Sequence, residues 1–344
     1  MKKLMVAGAM IAGVALASAG VAALLAGCGG RSDEGDQRGA GPTLRVGLVF
    51  DIGGKGDQSF NDSAYRGLVR ARDDLGIEFT DFEPGQDADR EAGLRKLAER
   101  GFDVVVGVGF LFTEAIRAVA GDFRETRFVL IDGYVDDRAN VASLVFREEE
   151  GSYLVGALAA MKSQTGKIGF LGGMDIPLIH KFEAGYRAGA QAARPDVQVL
   201  VGYAGVTPQA FADPVKGKEI AYSQIAKGAD VIFHAAGTTG LGALEAVQEK
   251  GAFLIGVDSN QNHLAPGVVL TSMVKHVDNA LFSCVEGVIE GRFHSGILEY
   301  GLAEEGVGYV VDDDNQALID QEMIRRVEAF RTGIIQGKIQ VPKS

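Results

Sequence analysis

Thr43–Phe82 reads TLRVGLVFDIGGKGDQSFNDSAYRGLVRARDDLGIEFTDF, and the order of elements in it decides the fold class. Leu44–Phe50 is a short apolar run that reads as a buried strand. Gly53, Gly54 and Gly56 let the next segment turn tightly and expose its amides. Ser59–Leu75 has helical patterning, with Ser59 or Asn61 able to cap it. Glu78–Phe82 is a second strand.

The same pattern continues outward. Asp87–Arg100 is a helix with Leu94 and Leu97 on one face, Asp103–Val108 a third strand, Thr113–Phe123 a helix and Arg127–Ile131 a fourth strand. Four such periods predict a parallel doubly wound sheet. After the apolar run Val141–Phe146 the pattern restarts. Glu148–Ser163 is an Ala/Gly-rich helix suited to close packing. Strands follow at Lys167–Leu171, Val197–Tyr203, Val231–Ala235 and Phe253–Val257, with helices at Ile179–Ala193, Pro214–Lys227 and Thr239–Lys250. Two similar α/β units are therefore expected in series. Val268–Val274 and the helix after it read as a return crossing into the first unit. The tail adds a strand at Gly308–Val311 and a helix at Asn315–Gly337.

Open parallel sheets bind ligands outside the carboxyl ends of their strands. Two such edges facing across a hinge make a cleft. The residues at those ends are Asp51, Gly109, Asp132, Gly172, Ala204, Ala236 and Asp258. Asp51 is a candidate ligand carboxylate, or a cap or loop charge. Phe60, at the mouth of a helix, is a candidate cleft aromatic, or a core residue. Asp132 and Asp258 place one carboxylate at a strand end in each unit. Each can accept two hydrogen bonds from a diol or from an amide-and-amine edge, or be a solvated loop charge. Lys275, ending TSMVK, can donate to a hydroxyl or ring nitrogen, or lie at the surface. Gly237 is expected where only backbone fits beside a ligand.

The first forty residues stand apart. Met1-Lys2-Lys3 is followed by an uncharged apolar run from Leu4 to Ala26, the organisation of a secretory signal. It ends in Leu25-Ala26-Gly27-Cys28, which matches the lipobox of bacterial lipoproteins, so Cys28 is the expected site of lipidation. The alternative is an uncleaved transmembrane anchor. Gly29–Pro42 has no apolar periodicity and reads as a flexible tether. Either way the body is expected outside the cytoplasm. Cys284 is the other cysteine and reads as an inert buried thiol.

Several classes fit poorly. A formal net charge of −12 argues against nucleic-acid binding, which needs Lys and Arg to replace counterions. Gly237–Gly242 reads GxxGxG rather than GxGxxG, and no Gly-Lys-Ser/Thr follows the loop at Asp51, so a phosphate or dinucleotide reading of these glycines is weak. The five histidines show no metal-ligand spacing. Asp312–Asp314 suits a solvated loop better than calcium. No nucleophile–base pair stands out, so neither an enzyme nor a cofactor is expected.

DIGGKGDQSFND (Asp51–Asp62), FREEEGSYLVGALAAM (Phe146–Met161), FEAGYRAGA (Phe182–Ala190), FADPVKGKEIA (Phe211–Ala221), HAAGTTGLG (His234–Gly242) and IGVDSN (Ile255–Asn260) together resemble the basic membrane protein family of solute-binding lipoproteins. The resemblance runs in order from about Arg45 to about Gln340. It implies an α/β, two-lobed type I periplasmic-binding-protein fold, each lobe a parallel doubly wound sheet with flanking helices, joined by a multi-strand hinge. Residues 1–28 would be signal and lipobox and 29–42 tether. The first lobe would comprise 43–146 plus about 275–303, the second 147–274 plus about 304–344. It further implies a monomeric receptor for a purine nucleoside that feeds an ABC permease and its ATPase. By position, a base would stack between Phe60 and Phe211, and Asp132 would read its polar edge. Asp258 and Lys275 would hold the ribose, Asp51, Ser59 and Asn61 would complete the first-lobe side, and Gly237 would offer backbone. Phe110 and Phe182 compete for the aromatic role, and His180 and His234 are expected to face the cleft. A receptor for a sugar or flavin, a sensor, and an enzyme using a nucleoside or dinucleotide are the rival readings.

Overall fold

A computed structural model describes residues 43–86 and 88–344. The signal, Cys28 and the tether lie outside these residues, as does Asp87, the expected start of the second helix.

The first sheet contains β1 (Arg45–Val49), β2 (Glu78–Phe82), β3 (Val104–Val108), β4 (Arg127–Ile131), β5 (Val141–Phe146) and β11 (Gly296–Tyr300). Their spatial order is β11-β5-β4-β3-β1-β2, parallel throughout. The second contains β6 (Lys167–Met174), β7 (Gln198–Gly205), β8 (Val231–Ala235), β9 (Phe253–Asp258), β10 (Val269–Lys275) and β12 (Val307–Tyr309), in the order β12-β10-β9-β8-β6-β7. It repeats the order of the first, except that β12 runs antiparallel to β10. Central strands are buried on both faces, β3 at every residue. This is why they read as unbroken apolar runs rather than alternating ones.

Helices α1 (Phe60–Leu75), α2 (Ala88–Glu99), α3 (Thr113–Asp122) and α8 (Val277–Ile289) accompany the first sheet, with α1 against α8. Helices α4 (Glu148–Lys162), α5 (Pro177–Ala193), α6 (Pro214–Ala226), α7 (Thr239–Lys250) and α9 (Gln321–Ile335) accompany the second. The small residues of α4 do allow close packing. A Cβ added at Gly156 would stand under 3.0 Å from the Tyr186 carbonyl of α5, and one at Gly189 under 3.0 Å from the Tyr153 carbonyl. No helix among the described residues is long and apolar enough to cross a membrane.

The chain passes between the sheets three times, after β5, after β10 and after β11. The passages are bonded together: the Arg147 N–H donates to the Tyr300 carbonyl at 3.0 Å and the His276 N–H to the Gly306 carbonyl at 2.8 Å.

Some boundaries differ from the sequence reading. β10 lies in the second sheet, and only the helix after it returns to the first. β6 and β7 extend to Met174 and Gly205, so Gly172 and Ala204 lie inside strands. β11 was not anticipated. The last strand is Val307–Tyr309, and α9 begins only at Gln321, capped by Asp320, whose carboxylate accepts the Met323 N–H at 2.8 Å.

Candidate functional site

The order β2-β1-β3 places a switch point between β1 and β3, and β7-β6-β8 places its counterpart in the second sheet. These are the crevices where doubly wound sheets bind ligands, and here they open into one cavity. Asp51, Phe60, Asn61, Asp132, Phe211, Gly237, Asp258 and Lys275 all line it, as do Phe110 and Phe182. Ser59 does not. It is fully buried behind the wall, and its Oγ donates across the lobes to Asp258 Oδ2 at 2.6 Å.

The first-lobe wall is built by a loop that folds on its own carboxylates. Ser59 holds the N-cap position of α1 without capping it. Asp57 does that work: its Oδ2 accepts the Asn61 N–H at 2.8 Å, and its Oδ1 accepts the Ser59 N–H at 2.8 Å and the Asp62 N–H at 3.1 Å. Asn61 in turn accepts the Asp51 N–H at 2.9 Å and donates to Asp57 at 3.0 Å. Asp51 is thereby held at the switch point, beside Gly109, whose φ of 102° and lack of a Cβ let the carboxylate sit against its backbone.

Asp132 and Asp258 occupy equivalent places, at the ends of β4 and β9. Both have a φ of 62°, in the left-handed region, which Asp tolerates better than most residues. The turn aims each carboxylate back over its sheet edge. Lys275, at the end of β10, is buried between them. Its Nζ is paired with Asp132 Oδ2 and lies 3.3 Å from Glu148 Oε1. The ammonium also sits over the rings of Phe60 at 4.8 Å, Phe146 at 5.2 Å and Phe182 at 5.7 Å. Asp132 Oδ1 is buried with no hydrogen-bond partner among the described residues.

Burial dominates the electrostatics. It raises Asp51 to about 7, Asp57 to about 6 and Asp132 to about 6, and raises Asp258 as well. Burial would by itself lower Lys275, but the carboxylates of Asp132, Glu148 and Asp258 outweigh it and hold the ammonium above the usual lysine range. The cleft thus carries carboxyls that take up protons close to neutral pH, Asp51 first, and its one lining cation among the described residues is already paired.

Both histidine expectations are corrected. His234 points into the second lobe, 1% exposed, with Nε2 at 3.0 Å from Gln261 Oε1. Burial lowers it to about 4, so it is neutral. His180 lies outside the cavity, its Nε2 at 2.7 Å from Asp175 Oδ1. Cys284 is half-buried rather than buried, and desolvation raises its thiol to about 12, far from a nucleophilic thiolate. Asp312 is engaged by the Asn260 and Asn262 amides at 2.8 and 3.1 Å. Asp57 and Glu148 were missed. The signal for Asp57 is its place two residues before Ser59; Glu148, first of three consecutive glutamates, carries none.

A family model described as ABC transporter substrate-binding protein PnrA-like matches residues 44–344. The ABC transporter nucleoside-binding protein BmpA of Lactococcus lactis subsp. cremoris is 32% identical over 99% of both chains. The CD4+ T-cell-stimulating antigen of Listeria innocua is 34% identical over 93% of this chain and 94% of its own. The crystal structure of an ABC transporter system solute-binding protein from Aeropyrum pernix K1 has a TM-score of 0.80 and 32% identity, covering 88% of this chain and 94% of that one. With a cleft at paired sheet edges and a match over the whole folded body, the chain belongs to the PnrA-like family of ABC transporter substrate-binding proteins, which bind solutes rather than transform them.

Proposed function

We propose that this protein captures a purine nucleoside in the cleft and delivers it to an ABC permease and its ATPase, held outside the cytoplasm by lipid on Cys28. The observation that carries the reading is Asp132 Oδ1, a buried acceptor without a partner in an aromatic-walled cavity. A buried acceptor of this kind selects a ligand that brings a donor. A nucleoside brings donors on both its base edge and its ribose, and a flat face besides. A relative over the full length is named as nucleoside-binding.

Phe60 of the first lobe and Phe211 of the second stack on the base, worth roughly 1–3 kcal/mol by analogy with single-strand binders. Asp132 reads the polar edge, and Asp258 with Lys275 holds the ribose. Ser59 orients Asp258, Asn61 orients the Asp51 loop, and Gly237, at φ 54°, leaves its backbone open to the ligand. Closure about the three passages gives the permease a loaded form to read. Titration calorimetry with adenosine, guanosine and inosine tests the ligand: heat with a sugar or flavin and none with nucleosides refutes it. Cys28→Ser tests the anchor, with transfer of the chain from the membrane to the soluble fraction expected.

A further inference from the structure

Arg147–Glu150 lies where the chain first passes between the sheets, and its three glutamates serve different parts of the hinge. Glu150 Oε2 accepts the Leu302 N–H, in the third passage, at 2.8 Å, and Oε1 is 3.4 Å from Arg147. Glu149 Oε1 is 3.6 Å from Lys343 near the chain end. Glu149 is also buried, but Glu148 is the one that reaches the cleft lysine. It is fully buried, and its two oxygens take different ammonium groups, Lys275 at 3.3 Å and Lys181 at 3.1 Å.

The two ends of the Glu148–Lys275 pair flank different passages. Lys275 is the last residue of β10, just before the second; Glu148 is the first of α4, just after the first. Lys181 extends the line by donating to the Phe146 carbonyl at 3.2 Å, at the end of β5. A chain of charge, buried up to Glu148 and half-buried at Lys181, therefore runs from Asp132 in the cleft, through Lys275, Glu148 and Lys181, to the hinge backbone.

Taking Lys275 as a ligand contact, as proposed above, we infer that Glu148 is a positioning residue for ligand capture, holding the Lys275 ammonium at the cleft and tying it to the hinge. The groups facing Lys275 are Asp132 after β4, Asp258 at the end of β9, Glu148 in α4, and the rings of Phe60, Phe146 and Phe182. Asp132 and Asp258 line the cavity, so ligand donors compete for them. Glu148 does not line it. It is the counter-ion a ligand cannot reach, and it keeps Lys275 in place when the other two are claimed. Burying a carboxylate costs several kcal/mol unless it is paired, and both of its oxygens are paired here.

Glu148→Gln in the full chain keeps the shape and removes the charge. Two readouts decide the inference. The first is the titration midpoint of Lys275, followed by its 13Cε chemical shift without ligand. The second is the Kd for adenosine, guanosine and inosine. The midpoint is expected to drop below that of the wild type, and Kd to rise about 10- to 100-fold, the size of one lost charge-assisted hydrogen bond. An unchanged midpoint overturns the inference even if Kd rises, because a merely structural role moves Kd alone. An unchanged Kd in a chain whose wild type binds also overturns it. If the wild type binds no purine nucleoside, the proposed function fails separately, and the Lys275 midpoint alone decides this inference. Where Glu148→Gln does not fold, Glu148→Asp keeps the charge and shortens the reach. A smaller rise in Kd is then expected, and none overturns the inference.

Discussion

Lys275→Met preserves side-chain length and removes the one cation among the described lining residues of the cleft. Three buried carboxylates then face one another without it. Glu148 stands 3.3 Å from the ammonium, where an effective dielectric constant of about 20 gives about 5 kcal/mol of attraction. Measured losses on breaking one side of a buried pair run about 3–5 kcal/mol. Glu148 retains Lys181 at 3.1 Å, so the lower end, about 3 kcal/mol, applies. At about 2–4 °C per kcal/mol, Tm at pH 8 should fall on the order of 6–12 °C. The pH dependence has a defined sign. Without Lys275, Asp132 and Asp258 rise further above the unfolded carboxylate value of about 3.9. A raised carboxyl contributes stability at low pH and loses it as pH rises through its folded value. The penalty is therefore largest at pH 8 and shrinks towards pH 5. Calorimetric melts at pH 5, 6, 7 and 8 measure it, and Lys275→Met with Asp132→Asn should recover part of the loss. A Tm at pH 8 within about 2 °C of wild type, smaller than about 1 kcal/mol, or a penalty that grows on acidification, refutes the reasoning.

Phe60→Ala should weaken purine-nucleoside binding by roughly 1–3 kcal/mol in titration calorimetry; unchanged affinity places the ring in the wall rather than on the base. Nucleoside binding should weaken as pH falls through about 6, where Asp132 takes up its proton, and then further, because a protonated acid accepts fewer hydrogen bonds; a Kd flat from pH 5 to 8 removes the charged carboxylate from recognition. Gly156→Ala pushes a methyl into the Tyr186 carbonyl and should cost about 1–3 kcal/mol in a denaturant melt by forcing α4 from α5; an unaltered midpoint shows that the helices can slide apart freely.

The doubly wound units were legible because β3 is an apolar run of five, β1 and β4 are apolar after a leading arginine, and the helices between them carry periodic apolar faces. β11 was not, since GILEY alternates between half-buried and exposed. An edge strand with one neighbour need not be apolar on both faces. β6 outran its reading because Gly172 and Gly173 look like loop residues, and β7 follows it by pairing Gly205 with Met174. The missing side chains of Gly172 and Gly173 in fact make room for the rings of Tyr203 and Phe211. The strand-end Asp residues were legible from position alone, since parallel topology puts every such end on one edge. The direction of His234 was not. It lies next to cleft residues in sequence, yet strand alternation turns its ring inward. Glu148 and Lys275 are 127 residues apart, and nothing local marks which glutamate in a run of three meets the lysine.

The left-handed backbone shared by Asp132 and Asp258 also limits how this receptor can change its taste. At φ 62° most replacements strain the chain before they touch a ligand, and Asn and Gly are the residues that escape. Both are one nucleotide from an Asp codon. New specificities are therefore reached most easily by exchanging an acceptor for an amide, or by deleting it, at one lobe at a time. Because the two lobes repeat the same corner, each offers the same small set of moves independently, and the pair spans nine backbone-compatible combinations of Asp, Asn and Gly.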